Sequence, residues 1–150
     1  MLEISLAKPS EIGWVNQCYD EVEFLHSSQA DVIAIAKWEG MKAGLGRLVT
    51  IDETSVELGG IYVFETFRGK GIAGEIVKYL LSRFVSLPKT IYCIPFQHLV
   101  PFYQKHGFVV CDTLHNIPQE ILKKYVEIAD PLKAPRSFDL FCEIIANSVS

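Results

Sequence analysis

Apolar and polar positions change period several times along this chain, and each change marks an element. Leu2 to Leu6 alternates as a short strand, and Ser10 is placed as the N-cap of a helix from Glu11 to about Tyr19. Asp31 to Trp38 and Ala43 to Ile51 are apolar and β-branched on either side of Glu39-Gly-Met-Lys, which predicts an antiparallel hairpin. After a turn at Asp52-Glu-Thr a further strand is expected from Ser55 to Phe64, so three consecutive strands form a meander. From Ile72 the apolar residues Ile72, Ala73, Ile76, Val77, Leu80, Leu81, Phe84 and Val85 recur at helical spacing until Leu87-Pro88 ends the pattern. Thr90 to Ile94, a compact apolar run between prolines, then reads as a buried strand parallel to the one before the helix.

Beyond it, Pro101 suits the first turn of a short helix, Gly107 its C′ position, and Phe108 to Cys111 another strand. Ile117 to Ile128 has helical spacing, residues 130–135 read as a linker, and Ser137 to Ile145 alternates like a final strand. Val22 to Ala30, which mixes Phe24 and Leu25 with His26-Ser-Ser-Gln, is expected to be a mobile loop. No repeat, low-complexity tract or internal linker marks a boundary. A chain of 150 residues that is 49% hydrophobic can bury one core, so a single domain over residues 1–150 is expected.

Composition narrows the function classes. No segment approaches the roughly 18 consecutive apolar residues of a membrane span, and Met1-Leu-Glu-Ile-Ser carries acid where a signal peptide carries base, so a soluble, cytoplasmic protein without a membrane partner is expected. Cys18, Cys93, Cys111 and Cys142 and the four histidines are scattered without metal-ligand spacing, so the cysteines read as reduced thiols and no metal is expected. Between Arg68 and Cys111 six basic residues face one acid, Glu75, a local charge of +5 in a chain of net −4. A basic middle in an acidic protein points to a local polyanion site. Nucleic acid, which needs a wider basic field, is not expected as a partner.

The anion site has a sequence signature. Leu58-Gly-Gly-Ile-Tyr-Val-Phe-Glu-Thr-Phe-Arg-Gly-Lys-Gly-Ile-Ala-Gly74 reads as a strand, a basic glycine-rich turn and the start of a helix. N–H groups at a helix start lack intrahelical acceptors and the helix dipole is positive there, so a phosphate at Gly69 to Ala73 would be stabilised twice. Gly69-Lys-Gly-Ile-Ala-Gly74 matches the dinucleotide fingerprint in letters. That fingerprint requires a ribose-binding acid about twenty residues on, and no Asp or Glu occurs between Glu75 and Asp112. A Walker A loop fails because Lys70 is followed by glycine, and a kinase loop fails for want of its His-Arg-Asp and Asp-Phe-Gly partners.

Read as Arg68-x-x-Gly71-x-Ala73 after a strand carrying Ile61-Tyr-Val63, the segment resembles motif A of the GNAT N-acetyltransferases, and Phe102-Tyr-Gln-Lys-His-Gly-Phe108 resembles the Tyr-x-x-x-Gly-Phe segment of motif B. The order of elements over residues 2 to 111 is similar as well. The resemblance implies an α/β (α+β) fold of the acyl-CoA N-acyltransferase kind, with a central mixed, mostly antiparallel sheet flanked by helices. It implies transfer of an acetyl group from acetyl-CoA, the acyl donor, to a primary amine of a small molecule or peptide, by direct attack through a tetrahedral intermediate.

The same resemblance assigns residues. Arg68, Gly69, Lys70, Gly71, Ile72, Ala73 and Gly74 would cradle the CoA phosphates, and the backbone of Ile61, Tyr62 and Val63 would pair with the pantetheine arm. Gly59-Gly60 fits a bulge that leaves the Ile61 N–H free to polarise the thioester carbonyl. Tyr103 matches the tyrosine that protonates the departing thiolate, and Glu57 stands where some members carry a general base. Phe96 and Leu99 depart from the family pattern, which has Asn and a small residue there, so the asparagine contact is not carried over and a narrower or more apolar pocket is expected. Asp20, Glu21 and Glu23, on the family's acceptor side, would attract a cationic amine. A non-catalytic acyl-CoA sensor is the alternative that keeps the fold, and a homodimer is compatible with residues 112–150, whose role stays open between sheet, cleft cover and interface.

Overall fold

The computed structural model describes residues 1–83, 89–111, 116–129 and 145–149. The elements are strands β1 (Leu2–Leu6), β2 (Val32–Trp38), β3 (Met41–Thr50), β4 (Ser55–Val63), β5 (Lys89–Cys93), β6 (Val109–Val110) and β7 (Ile145–Val149), with helix α1 (Ile12–Glu21) after β1, α2 (Ile72–Leu81) after β4, α3 (Val100–Gln104) after β5 and α4 (Gln119–Ala129) after β6. The fold is mixed α/β with a mostly antiparallel sheet. The chain forms two compact units, Met1–Thr50 with Leu58–Phe84, and Ile51–Glu57 with Val85–Ser150.

In the first unit the bonded strand order is β1-β2-β3-β4, and β1 to β2 and β2 to β3 pair antiparallel. The β2–β3 turn is shorter than expected. Trp38 pairs with Met41, and Glu39 and Gly40 take φ of +50° and +81°, the double left-handed geometry that matches a type I′ hairpin. Register puts Ile35 opposite Leu45 and Ala34 opposite Gly46, so the two faces differ in bulk. The Ile33, Ile35 and Leu45 face is buried under Val15, Cys18 and Tyr19 of α1. On the other face a Cβ on Gly46 would stand 2.7 Å from Ile76 Cγ2 and 2.5 Å from Ile61 Cδ1, so α2 lies on a face kept clear by small residues.

One expected cap is corrected. Ser10 is not an N-cap, because Pro9 starts a 3-10 turn, Pro9–Glu11, that feeds directly into α1, and the Glu11 carboxylate accepts from the Lys8 N–H at 2.9 Å.

In the second unit the order is β4-β5-β7-β6, with β4 parallel to β5, as the apolar run between prolines predicts, and β7 antiparallel to both β5 and β6. Tyr92 of β5 packs with Ile117 and Ile121 of the α4 segment. Helix α4 falls within the expected stretch apart from its last residue. The expected linker at 130–135 lies outside the described residues, as does the expected final strand but for Ile145, where β7 begins. Among the described residues no helix is long and apolar enough to cross a membrane.

Candidate active site

Within the first unit the glycine loop leads from β4 into α2. Gly69 and Gly71 take φ of +82° and +77°, and no atom outside their chain neighbours lies within 4 Å of where a Cβ would stand on either. Gly71 is the N-cap of α2 and contributes no side-chain bond, so the first N–H groups of the helix face outward unspent. Two cations flank the loop. Arg68 folds back, its Nε donating to the Val63 carbonyl at 3.1 Å, and the Lys70 ammonium lies 5.0 Å from the centre of the Trp38 ring. An anion here meets backbone donors, the helix dipole and two positive charges; the dipole alone contributes about 0.3–1 kcal/mol. The loop residues thus fit a phosphate group.

The strand half of the motif has a different construction. Gly60 takes φ +61°, the left-handed conformation a glycine adopts in a β-bulge, whereas Gly59 has open space beside it. A Cβ on Gly60 would stand 2.5 Å from Tyr19 Oη, and that hydroxyl donates to the Gly60 carbonyl at 2.9 Å. Tyr19 is fully buried, its phenol pushed up by burial, with the Arg47 guanidinium, 4.3 Å over the ring, pulling the other way. Arg47 Nη1 donates to the Leu25 carbonyl at 2.8 Å and to Ser27 Oγ at 2.6 Å, and Ser27 and Asn16 exchange two further bonds. The loop expected to be mobile is therefore fastened at Leu25 and Ser27.

Within the second unit Glu57 and Tyr103 both lie close to Cys93. Glu57 pairs with Tyr92 across β4 and β5, and its carboxylate forms an ion pair with the Lys124 ammonium of α4. Tyr103, on α3, is buried between Phe102 and Phe108, and its hydroxyl is hydrogen-bonded to the Cys93 thiol. Burial, then the neighbouring thiol, hold the Tyr103 phenol well above its ordinary range, so it stays protonated. Burial likewise pushes the Cys93 thiol up, with the Glu57 charge adding to it.

Sequence reasoning missed Arg47, Tyr19, Cys93 and Lys124. Arg47 had a signal: it is the one charge inside the apolar run Ala43 to Val49. Of the acids expected on the acceptor side, Asp20 holds His26 Nε2 at 2.6 Å. Phe96 stacks on His98 at 6.1 Å, and Leu99 is exposed.

A strand that runs into an open left-handed glycine loop and an uncapped helix, in a mixed and mostly antiparallel sheet, is the arrangement of acyl-CoA-dependent acyltransferases. The acetyltransferase (GNAT) family model matches residues 3–108, and the chain belongs to that family. No match was found among curated proteins. Among solved structures, N-acetylglutamate synthase from Neisseria gonorrhoeae, complexed with coenzyme A and L-arginine, superposes with a TM-score of 0.71 at 14% identity, over 99% of this chain and 33% of that one. Rv2747 from Mycobacterium tuberculosis, in a complex containing CoA, gives 0.69 at 18% identity over 99% of both chains. A GNAT family acetyltransferase from Elizabethkingia anophelis with acetyl-CoA bound gives 0.62 at 18%, over 99% and 97%. The chain thus spans about a third of the synthase it matches.

Proposed function

We propose that the chain, as one domain over residues 1–150, is an acetyl-CoA-dependent N-acetyltransferase acting on a primary amine of a small molecule or peptide. The observation that carries this reading is the open loop, with Gly69 and Gly71 both left-handed and unobstructed in front of the uncapped α2. The CoA and acetyl-CoA complexes of the similar structures support the donor. Acetyl-CoA is a substrate consumed in the reaction, held by Arg68 to Gly74 at its phosphates and by the backbone of Ile61 to Val63 along its pantetheine arm.

The chemistry asks three things of the protein. The Ile61 N–H, beside left-handed Gly60, would donate to the carbonyl oxygen as negative charge builds there during attack by the amine. Glu57, whose carboxylate is paired with the Lys124 ammonium, would accept the proton lost by the amine, directly or through water. Tyr103 would return a proton to the departing sulfur. A hydroxyl that stays protonated at neutral pH is in the correct state to do so.

One observation favours the second reading, an acyl-CoA sensor without turnover: both candidate catalytic side chains already have protein partners, Lys124 for Glu57 and Cys93 for Tyr103. Release of free thiol from acetyl-CoA, followed across a panel of primary amines, separates the two. The enzyme yields thiol and N-acetyl amine in equal amounts with at least one amine class. Binding of acetyl-CoA with no amine-dependent thiol release would leave the sensor standing.

A further inference from the structure

Arg47 is the only charged residue buried among the described residues, with 9% of its surface exposed. None of the ion pairs formed by the described residues includes it. Its partners are all neutral: the Leu25 carbonyl and Ser27 Oγ on Nη1, and the face of the Tyr19 ring. A guanidinium does not give up its proton, so desolvating it against neutral groups alone is costly unless an anion completes the site.

The free side of the group is specific. Nη1 is spent, which leaves Nε and Nη2, two parallel donors on one edge that match the two oxygens of a carboxylate. Among the described residues no sealed side-chain nitrogen lacks a partner, so Nε and Nη2, which have none, keep some contact with solvent. It borders the proposed reaction site. Nε lies 3.1 Å from where a Cβ would stand on Gly60, the residue immediately before the Ile61 to Val63 stretch of β4.

We propose that Arg47 binds a carboxylate of the acceptor, so that the amine acetylated belongs to an amino acid or a close analogue with amine and carboxylate on one small molecule. This rests on the acetyltransferase reading. Arg47 is a specificity-determining residue here: its Nε/Nη2 edge receives the carboxylate beside Gly60, while the acceptor's amine reaches toward the adjacent strand positions. No covalent step involves it.

The test compares the twenty amino acids with their amides and with the matching decarboxylated amines, by thiol release from acetyl-CoA. For the preferred side chain, the free acid should exceed its amide in kcat/KM by about 100-fold, the discrimination one lost charge-assisted fork produces. In Arg47→Gln that preference should vanish through a higher KM for the acid. The amide rate should stay within about threefold and acetyl-CoA affinity by calorimetry should not change. Arg47→Lys keeps the charge and the stem but not the two-donor edge; it should retain about a tenth of the preference, and carries the comparison should Arg47→Gln not fold. Equal turnover of acids, amides and decarboxylated amines by the wild type, or full preference retained in either variant, overturns the carboxylate site and leaves the acetyltransferase reading intact. Absence of turnover with every amine, despite acetyl-CoA binding, overturns both.

Discussion

Gly60 in β4 and Gly71 at the head of α2 share a backbone conformation, φ +61° and +77°, but differ in what stands where a Cβ would be. Around Gly60 the space is filled by the Tyr19 hydroxyl and the Arg47 Nε, both fixed by buried hydrogen bonds or ring contacts; around Gly71 there is nothing within 4 Å. A backbone that receives a phosphate, the role proposed for Gly71, needs clear approach, and its surroundings are empty. A strand position that would hold its neighbour's N–H in one direction needs support from behind, and the Tyr19 hydroxyl, bonded to the Gly60 carbonyl, supplies it.

The largest effect that this contrast predicts is at the closed position. Gly60→Ala imposes about 1–2 kcal/mol of left-handed strain, and its methyl meets a ring that cannot move aside, adding about 1–3 kcal/mol of overpacking. Urea denaturation should show the sum as a lowered midpoint at unchanged slope. A loss below about 1 kcal/mol would mean Tyr19 yields easily and the closed description is wrong.

Tyr103 extends the contrast to the second unit, because it is both enclosed and assigned chemistry. Tyr103→Phe should lower kcat about 100-fold through loss of the general acid, with acetyl-CoA affinity unchanged. Its pH signature follows from a raised phenol. The folded state favours the protonated hydroxyl, so its contribution to stability is full below a pH of about 10, the ordinary tyrosine value, and is lost as pH rises beyond it. Wild type should therefore lose stability above that pH more steeply than Tyr103→Phe, as chemical denaturation across an alkaline series would record.

The smallest effect belongs to the open position. Gly71→Ala meets no neighbour and should cost about 1 kcal/mol of strain alone, measured by the same urea titration as Gly60→Ala. Equal losses at the two glycines would erase the distinction between them.

How legible these features were in the sequence follows the same division. The strand, loop and helix from Ser55 to Leu81 were readable because period-two alternation, left-handed glycines and helical spacing are all local signals. The helix after Pro9 was placed to within a residue at its start, but its cap was not, since a proline-started 3-10 segment and a Ser N-cap look alike in sequence. Tyr19, Arg47 and Cys93 were not assigned, because what each touches is decided by strand register and by residues 41, 20 or 22, and 10 positions away. Tyr19 meets Gly60, Arg47 meets Leu25 and Ser27, and Cys93 meets Tyr103. A lone arginine in an apolar strand is the pattern that could have marked the middle one.

In the proposed function the open loop before α2 holds the phosphates of acetyl-CoA. Titration calorimetry of acetyl-CoA into wild type and Gly71→Glu tests it most directly, with far-ultraviolet circular dichroism confirming that both are folded. A carboxylate placed at the helix start should repel the ligand phosphates and weaken binding by at least about 100-fold, or about 2.7 kcal/mol. Equal affinity in the two folded proteins would mean that the phosphates are held elsewhere.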